Sequence, residues 1–123
     1  IVEDDLSQNA AEDSYNLLPA MLGDESKKRL RKATVYSGSN GVLALRQGNW
    51  VLIDSKTGMV SNEPDWFRKE RGVVNHEENL ELFNIKRDPQ QKQNALNDNP
   101  KVVARMSKLL TRYVDSGRST PKR

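Results

Sequence analysis

Apolar residues fall into short blocks along this chain, and the period inside each block names the element it forms. Leu17-Leu18-Pro19-Ala20-Met21-Leu22 predicts one or two helical turns, kept short by Pro19 and stopped by Gly23, with Asp13 or Ser14 placed to cap them. Ala33-Thr34-Val35-Tyr36 predicts a short strand, and the small polar residues of Ser37-Gly38-Ser39-Asn40-Gly41 predict a turn. The strongest β signal comes next. Val42-Leu43-Ala44-Leu45-Arg46 and Trp50-Val51-Leu52-Ile53-Asp54 are apolar and partly β-branched. The three residues Gln47-Gly48-Asn49 between them include a glycine able to take the left-handed position of a hairpin. The two runs are expected to pair antiparallel with at least one face buried.

Residues 55 to 79 mix Gly, Pro, Asn and charge around Trp66-Phe67, the composition of a long surface loop. Leu80-Glu81-Leu82-Phe83-Asn84-Ile85 resumes a strand and Asp88-Pro89 turns out of it. Asn99 then stands as a cap before Pro100, which suits the first position of a helix. Val102, Val103, Met106, Leu109, Leu110, Tyr113 and Val114 recur at three- and four-residue spacing, an apolar stripe facing a core. From Asp115 the chain is polar and reads as a loose tail. No internal repeat is visible. The sum is an α+β fold, a small antiparallel sheet of about four strands packed against a long C-terminal helix.

Composition adds that this core is thin. The 123 residues allow one small domain or a piece of a larger protein. The apolar share is 35%; with glycine counted in place of tyrosine it is still only about 38%, against ~45–50% in typical globular chains. A chain of this size also buries proportionally less surface than a large one, so part of its support is expected to lie elsewhere. The start, Ile1-Val2-Glu3-Asp4-Asp5, has neither an initiator methionine nor the features of a signal peptide, and reads as cut at its N-terminus. No run approaches the ~20 apolar residues of a membrane span.

The net charge of +3 conceals a division, because residues 1 to 26 carry seven acids and no Lys or Arg, and residues 27 to 123 carry twenty bases against ten acids. Lys27-Lys28-Arg29-Leu30-Arg31-Lys32 is the densest basic run. Read functionally, it and the loop aromatics make an independent basic module for anionic glycan or nucleic acid. A solvated loop explains the run more simply, since the aromatic and glycine pattern of a nucleic-acid module does not accompany it.

Catalytic chemistry is hard to assemble from these residues. The absence of cysteine excludes disulfides, thiolate metal sites and thiol nucleophiles. The single histidine, His76, sits in the long loop, where a solvated imidazole is the ordinary reading. Glu3, Asp4 and Asp5 lack the spread of oxygen ligands that a hard cation needs, and Asp54-Ser55-Lys56-Thr57-Gly58 puts a lysine at a calcium-ligand position. Metal ligands and catalytic residues are therefore both expected to be none in this chain.

Four blocks in order resemble the C-terminal subdomain of the arylsulfatase-type sulfatases, in the alkaline-phosphatase-like superfamily. They are Asp13-Ser14 through Leu17-Leu18-Pro19 to Leu22-Gly23; Gly41 to Ile53; Leu80 to Ile85 with Asp88-Pro89 and Asn94-Ala95-Leu96; and the closing helix. In the family the first three read "DSxxLLPxLxG", "GxxAxRxGxWKLI" and "ELYDLxxDPxExxNLA" at similar spacing. Each alone is a weak signal, but together they cover most of residues 13 to 114.

The resemblance implies a sheet and helix packed on a large α/β catalytic domain. Residues 1–26 would be the segment leaving that domain, 27–114 the subdomain and 115–123 a flexible tail. The calcium ion and the formylglycine made from a C/S-x-P-S-R motif would belong to the catalytic domain, where hydrated aldehyde and cation act on the sulfate. Ser119-Thr120-Pro121-Lys122-Arg123 does not supply that motif, because Lys122 replaces its serine. The expected partners are the catalytic domain of the same chain and a sulfated substrate, and the expected location is periplasmic or secreted. Many sulfatases carry His-His-Ser near the loop that here reads Val35-Tyr36-Ser37. Tyr36, Ser37 and Asn40 are the candidate substrate contacts, and the chain by itself is expected to be inactive.

Overall fold

The structure is a computed structural model that describes residues 14–24, 30–38, 41–56, 64–72 and 77–120. Asn40, His76, the Glu3-Asp4-Asp5 trio and Lys27-Lys28-Arg29 lie outside the described residues. Seven elements follow in chain order: α1 (Leu18–Met21), β1 (Thr34–Ser37), β2 (Leu43–Gln47), β3 (Trp50–Ile53), α2 (Asp65–Glu70), β4 (Glu81–Asn84) and α3 (Pro100–Ser116). The four strands form an antiparallel meander in the order β1-β2-β3-β4, with α3 beside it, as the sequence pattern predicts.

The register explains why these residues make a core. Val35, Leu45, Leu52 and Leu82 stand opposite one another across the four strands, so they share one face of the sheet. Leu45, Leu52 and Leu82 are fully buried and meet Met106 and Leu110 of α3, with Leu96, Val103 and Tyr113 packed around them. The period-2 and period-3.6 patterns thus face each other across one apolar layer. On the other face, Ala44, Val51 and Phe83 are buried too, together with Glu81. Trp50 is half-buried against the core, in keeping with its place at the start of a strand.

Several details differ from the sequence reading. The hairpin connection is the two residues Gly48-Asn49, because Gln47 pairs with Trp50; Gly48 carries the positive φ of 62°. Residues 55–79 are not loop throughout, since α2 forms within them. Its signal was the charge order: Asp65 sits in the first turn and Arg68 and Lys69 in the last, as the helix dipole favours. Pro100 does open α3, yet Asn99 does not cap it with its side chain. The Asn99 amide instead turns back and donates to the Ala95 carbonyl at 2.9 Å. At α1 the Leu18 N–H is met by the Asn16 Oδ1 at 3.0 Å, and Ser14 takes no part in capping.

The Asn94-Ala95-Leu96 block has a structural use. Asn94 Oδ1 accepts from the Leu82 N–H at 3.0 Å and from the Leu96 N–H at 3.1 Å, while its Nδ2 donates to the Leu80 carbonyl at 3.3 Å. Ala95 N–H adds a bond to the Leu82 carbonyl at 2.8 Å. One side chain and one peptide group therefore satisfy the outer edge of β4, which would otherwise be an open strand edge. Asp88 works in the same way on the preceding turn, accepting from the Gln93 N–H at 2.8 Å.

The two ends of the chain are tied together. Helix α3 keeps Asp115 and Ser116, two residues of the stretch read as tail, and ends at Gly117 with φ of 62°. Ser119 is buried, and its carbonyl accepts from the Tyr15 hydroxyl at 3.1 Å. The Arg31 guanidinium lies 4.9 Å from the centre of the Tyr15 ring. Tyr15 therefore fastens the segment bearing α1 to the end of α3.

Candidate functional site

Two of the three sequence candidates lie at the end of β1. Tyr36 and Ser37 are neighbours on a strand, so their side chains leave opposite faces of the sheet. By register Ser37 belongs with Leu43 on the face that carries the core, and Tyr36 belongs with Ala44 on the other. A single ligand could meet both only at the end of the strand. The Ser37 hydroxyl donates to the Gly38 carbonyl at 3.0 Å, within its own turn. That turn is closed by Gly38 N–H on the Val42 carbonyl at 2.9 Å and by Gly41 N–H on the Gly38 carbonyl at 3.1 Å. Gly41 has φ of 74°, a conformation that favours glycine.

Tyr36 is 46% exposed. Burial pushes its phenol above the usual value, and the Arg46 guanidinium on β2 opposes this. The group is therefore a neutral phenol at physiological pH, suited to hydrogen bonding rather than to acting as a base.

The loop aromatics stand out in solvent. Trp66 is 67% and Phe67 37% exposed; their rings meet edge to face at 5.5 Å, with the Arg71 guanidinium 5.5 Å from the Phe67 ring. The two most exposed of the large apolar side chains, Met21 and Leu22, are at the end of α1 and just beyond it. Leu17, Met21 and Leu22 are 57%, 80% and 74% exposed, and Leu18 is partly so. Leu17, Leu18, Met21 and Leu22 are thus apolar residues close in sequence that face water.

The chain has no cysteine, and among the described residues no three His, Asp or Glu side chains gather as metal ligands. Ser119, the one serine in the tail motif, is buried with its carbonyl held by Tyr15.

No family model matches the chain. Over 110 residues it is 28% identical to an N-acetylgalactosamine-6-O-sulfatase of Bacteroides thetaiotaomicron, a match covering 89% of this chain and 20% of the relative. A solved sulfatase structure, from work on the metabolism of multiple glycosaminoglycans by the same bacterium, superposes with a TM-score of 0.60 at 26% identity. That alignment covers 87% of this chain and 21% of the other. In sequence and in fold, the chain is similar to a sulfatase subdomain. This sulfatase-like chain spans about a fifth of the length of the proteins it matches. The match runs through strands, hairpin and helix, so the blocks read in the sequence are those that build the sulfatase-like fold. No described helix is long and apolar enough to cross a membrane.

Proposed function

We propose that this chain is the C-terminal subdomain of a calcium-dependent formylglycine sulfatase, packed on the catalytic domain and framing its substrate cleft without hydrolysing esters alone. The observation that carries this reading is the exposed apolar group of Leu17, Leu18, Met21 and Leu22 on a chain that matches only a fifth of a sulfatase. The Tyr15 hydroxyl ties the segment carrying that group to Ser119, just beyond the end of α3. Residues 1–26 then lead out of the catalytic domain and the subdomain begins at about residue 27. Calcium and formylglycine belong to the catalytic domain. The substrate is a sulfated sugar, by analogy with the N-acetylgalactosamine-6-O-sulfatase, and the protein is exported to the periplasm or beyond the cell, as is usual in the family.

The contact surface is tested by Met21→Lys with Leu22→Lys. In the 123-residue chain these exposed positions leave the melting temperature within the small range of surface substitutions, about ±0.5 kcal/mol in stability. In the full-length protein the same pair lowers the melting temperature by several degrees, because two charges enter an apolar contact. Equal melting of variant and parent in the full-length protein contradicts the docking.

Framing of the cleft falls to the β1–β2 turn, through Tyr36, Ser37 and Asn40. Replacing all three by alanine in the full-length enzyme raises KM or changes the preferred sulfate ester, with kcat less affected. Unchanged kinetics would remove these residues from the site.

A further inference from the structure

Helix α3 has a second face that the core does not use. Lys101, Arg105, Lys108 and Arg112 are all exposed, at spacings of four, three and four residues. That spacing lines them up on one side of a helix, over about 16 Å at ~1.5 Å of rise per residue. Asp115 is the single acid of α3 and stands at its end. Among the described residues no ion pair neutralises these four cations.

An open groove of about 810 Å³ runs beside the stripe, lined by Arg105, Lys108, Leu109, Arg112 and Asp115 of α3 and by Gln47 at the end of β2. The Arg105 Nε donates to the Gln47 Oε1 at 3.2 Å, which holds this guanidinium at the rim. Arg112 is steadied by the Tyr113 ring, 5.5 Å from its guanidinium carbon.

We infer that this groove is a binding site for a linear sulfated glycan, which lies along α3 with its anionic groups against Arg105, Lys108 and Arg112. A solvated helix face ordinarily intersperses acids at four-residue spacing to pair with its bases; here the bases are unrelieved and border a groove. Guanidinium forks suit the oxygens of sulfate and carboxylate groups. Nucleic acid fits less well, because Trp66 and Phe67 are not in the groove lining and the groove offers bases no stacking platform. The choice of a sulfated glycan over other polyanions rests on the sulfatase reading; the polyanion site itself does not.

The test measures binding of the 123-residue chain to chondroitin sulfate, to chemically desulfated chondroitin and to a single-stranded DNA oligonucleotide. The expected result is binding to chondroitin sulfate at least tenfold tighter than to the other two. Its affinity falls with salt at a log–log slope of roughly −3, for about four cations releasing counterions. Combined Lys101→Gln, Arg105→Gln, Lys108→Gln and Arg112→Gln lowers the affinity tenfold or more while leaving the melting curve in place. Absence of binding, unchanged binding by the variant, or equally tight binding of the DNA each overturns the proposal. Failure of the sulfatase reading shows separately, as a full-length protein that binds the glycan and hydrolyses no sulfate ester.

Discussion

Leu52→Ala is expected to unfold this chain or bring it close to unfolding. Leu52 is fully buried at the centre of β3, with Leu45 on one side and Leu82 on the other in the same cross-strand row, beneath Met106. Truncation removes buried methyl groups and leaves a cavity, at a cost of about 2–5 kcal/mol for leucine to alanine. The site has little room to collapse, since strand neighbours fix both flanks. The core around it is small, six buried residues with a partly buried rim, and small domains hold only about 5–15 kcal/mol in total. A urea titration followed by circular dichroism measures the effect, with Val114→Ala as the control because Val114 is 54% exposed on the same helix that covers the core. The control shifts the midpoint by about 0.5 kcal/mol or less. Equal midpoints for the two variants would mean that the Leu45-Leu52-Leu82 row is not the centre of the fold.

The elements legible in the sequence were those whose burial leaves an apolar run or stripe. β2, β3 and β4 alternate or run apolar because their faces are covered, and α3 shows its stripe because Met106 and Leu110 must reach the sheet. Where packing does not impose a period, the pattern was silent. Helix α2 has no buried residue, so only its end charges could announce it. Asn94 reads as an ordinary polar residue, yet its amide completes the edge of β4 through atoms that no hydropathy pattern registers. The Tyr15 hydroxyl bond to the Ser119 carbonyl joins positions 104 residues apart and has no local signature.

The place of Tyr36 and Ser37 along the chain was legible, but not their arrangement on the strand. Tyr36 and Ser37 do stand at the end of β1, where the turn begins, but the strand pleat sends them to opposite faces. The cations beside the groove on α3 are spread through an apolar helix rather than written as a run, so Lys101, Arg105, Lys108 and Arg112 show as a stripe only at helical spacing.

The proposed function is a division of labour, in which this chain would supply packing and substrate framing and a catalytic domain the nucleophile and the cation. In the proposed reading the hydrated formylglycine belongs to the catalytic domain: this chain has no cysteine, and Ser119-Thr120-Pro121-Lys122-Arg123 departs from the C/S-x-P-S-R motif at Lys122. With nucleophile and cation both assigned to the proposed catalytic domain, the chain by itself is expected to show no turnover. The decisive measurement is the release of the phenolate from an aryl sulfate, with calcium present, by the 123-residue chain and by the proposed full-length sulfatase that contains it. No turnover above buffer is expected for the chain and calcium-dependent turnover for the full-length protein; turnover by the chain alone, or none by the full-length protein on any sulfate ester, contradicts the proposed division of labour.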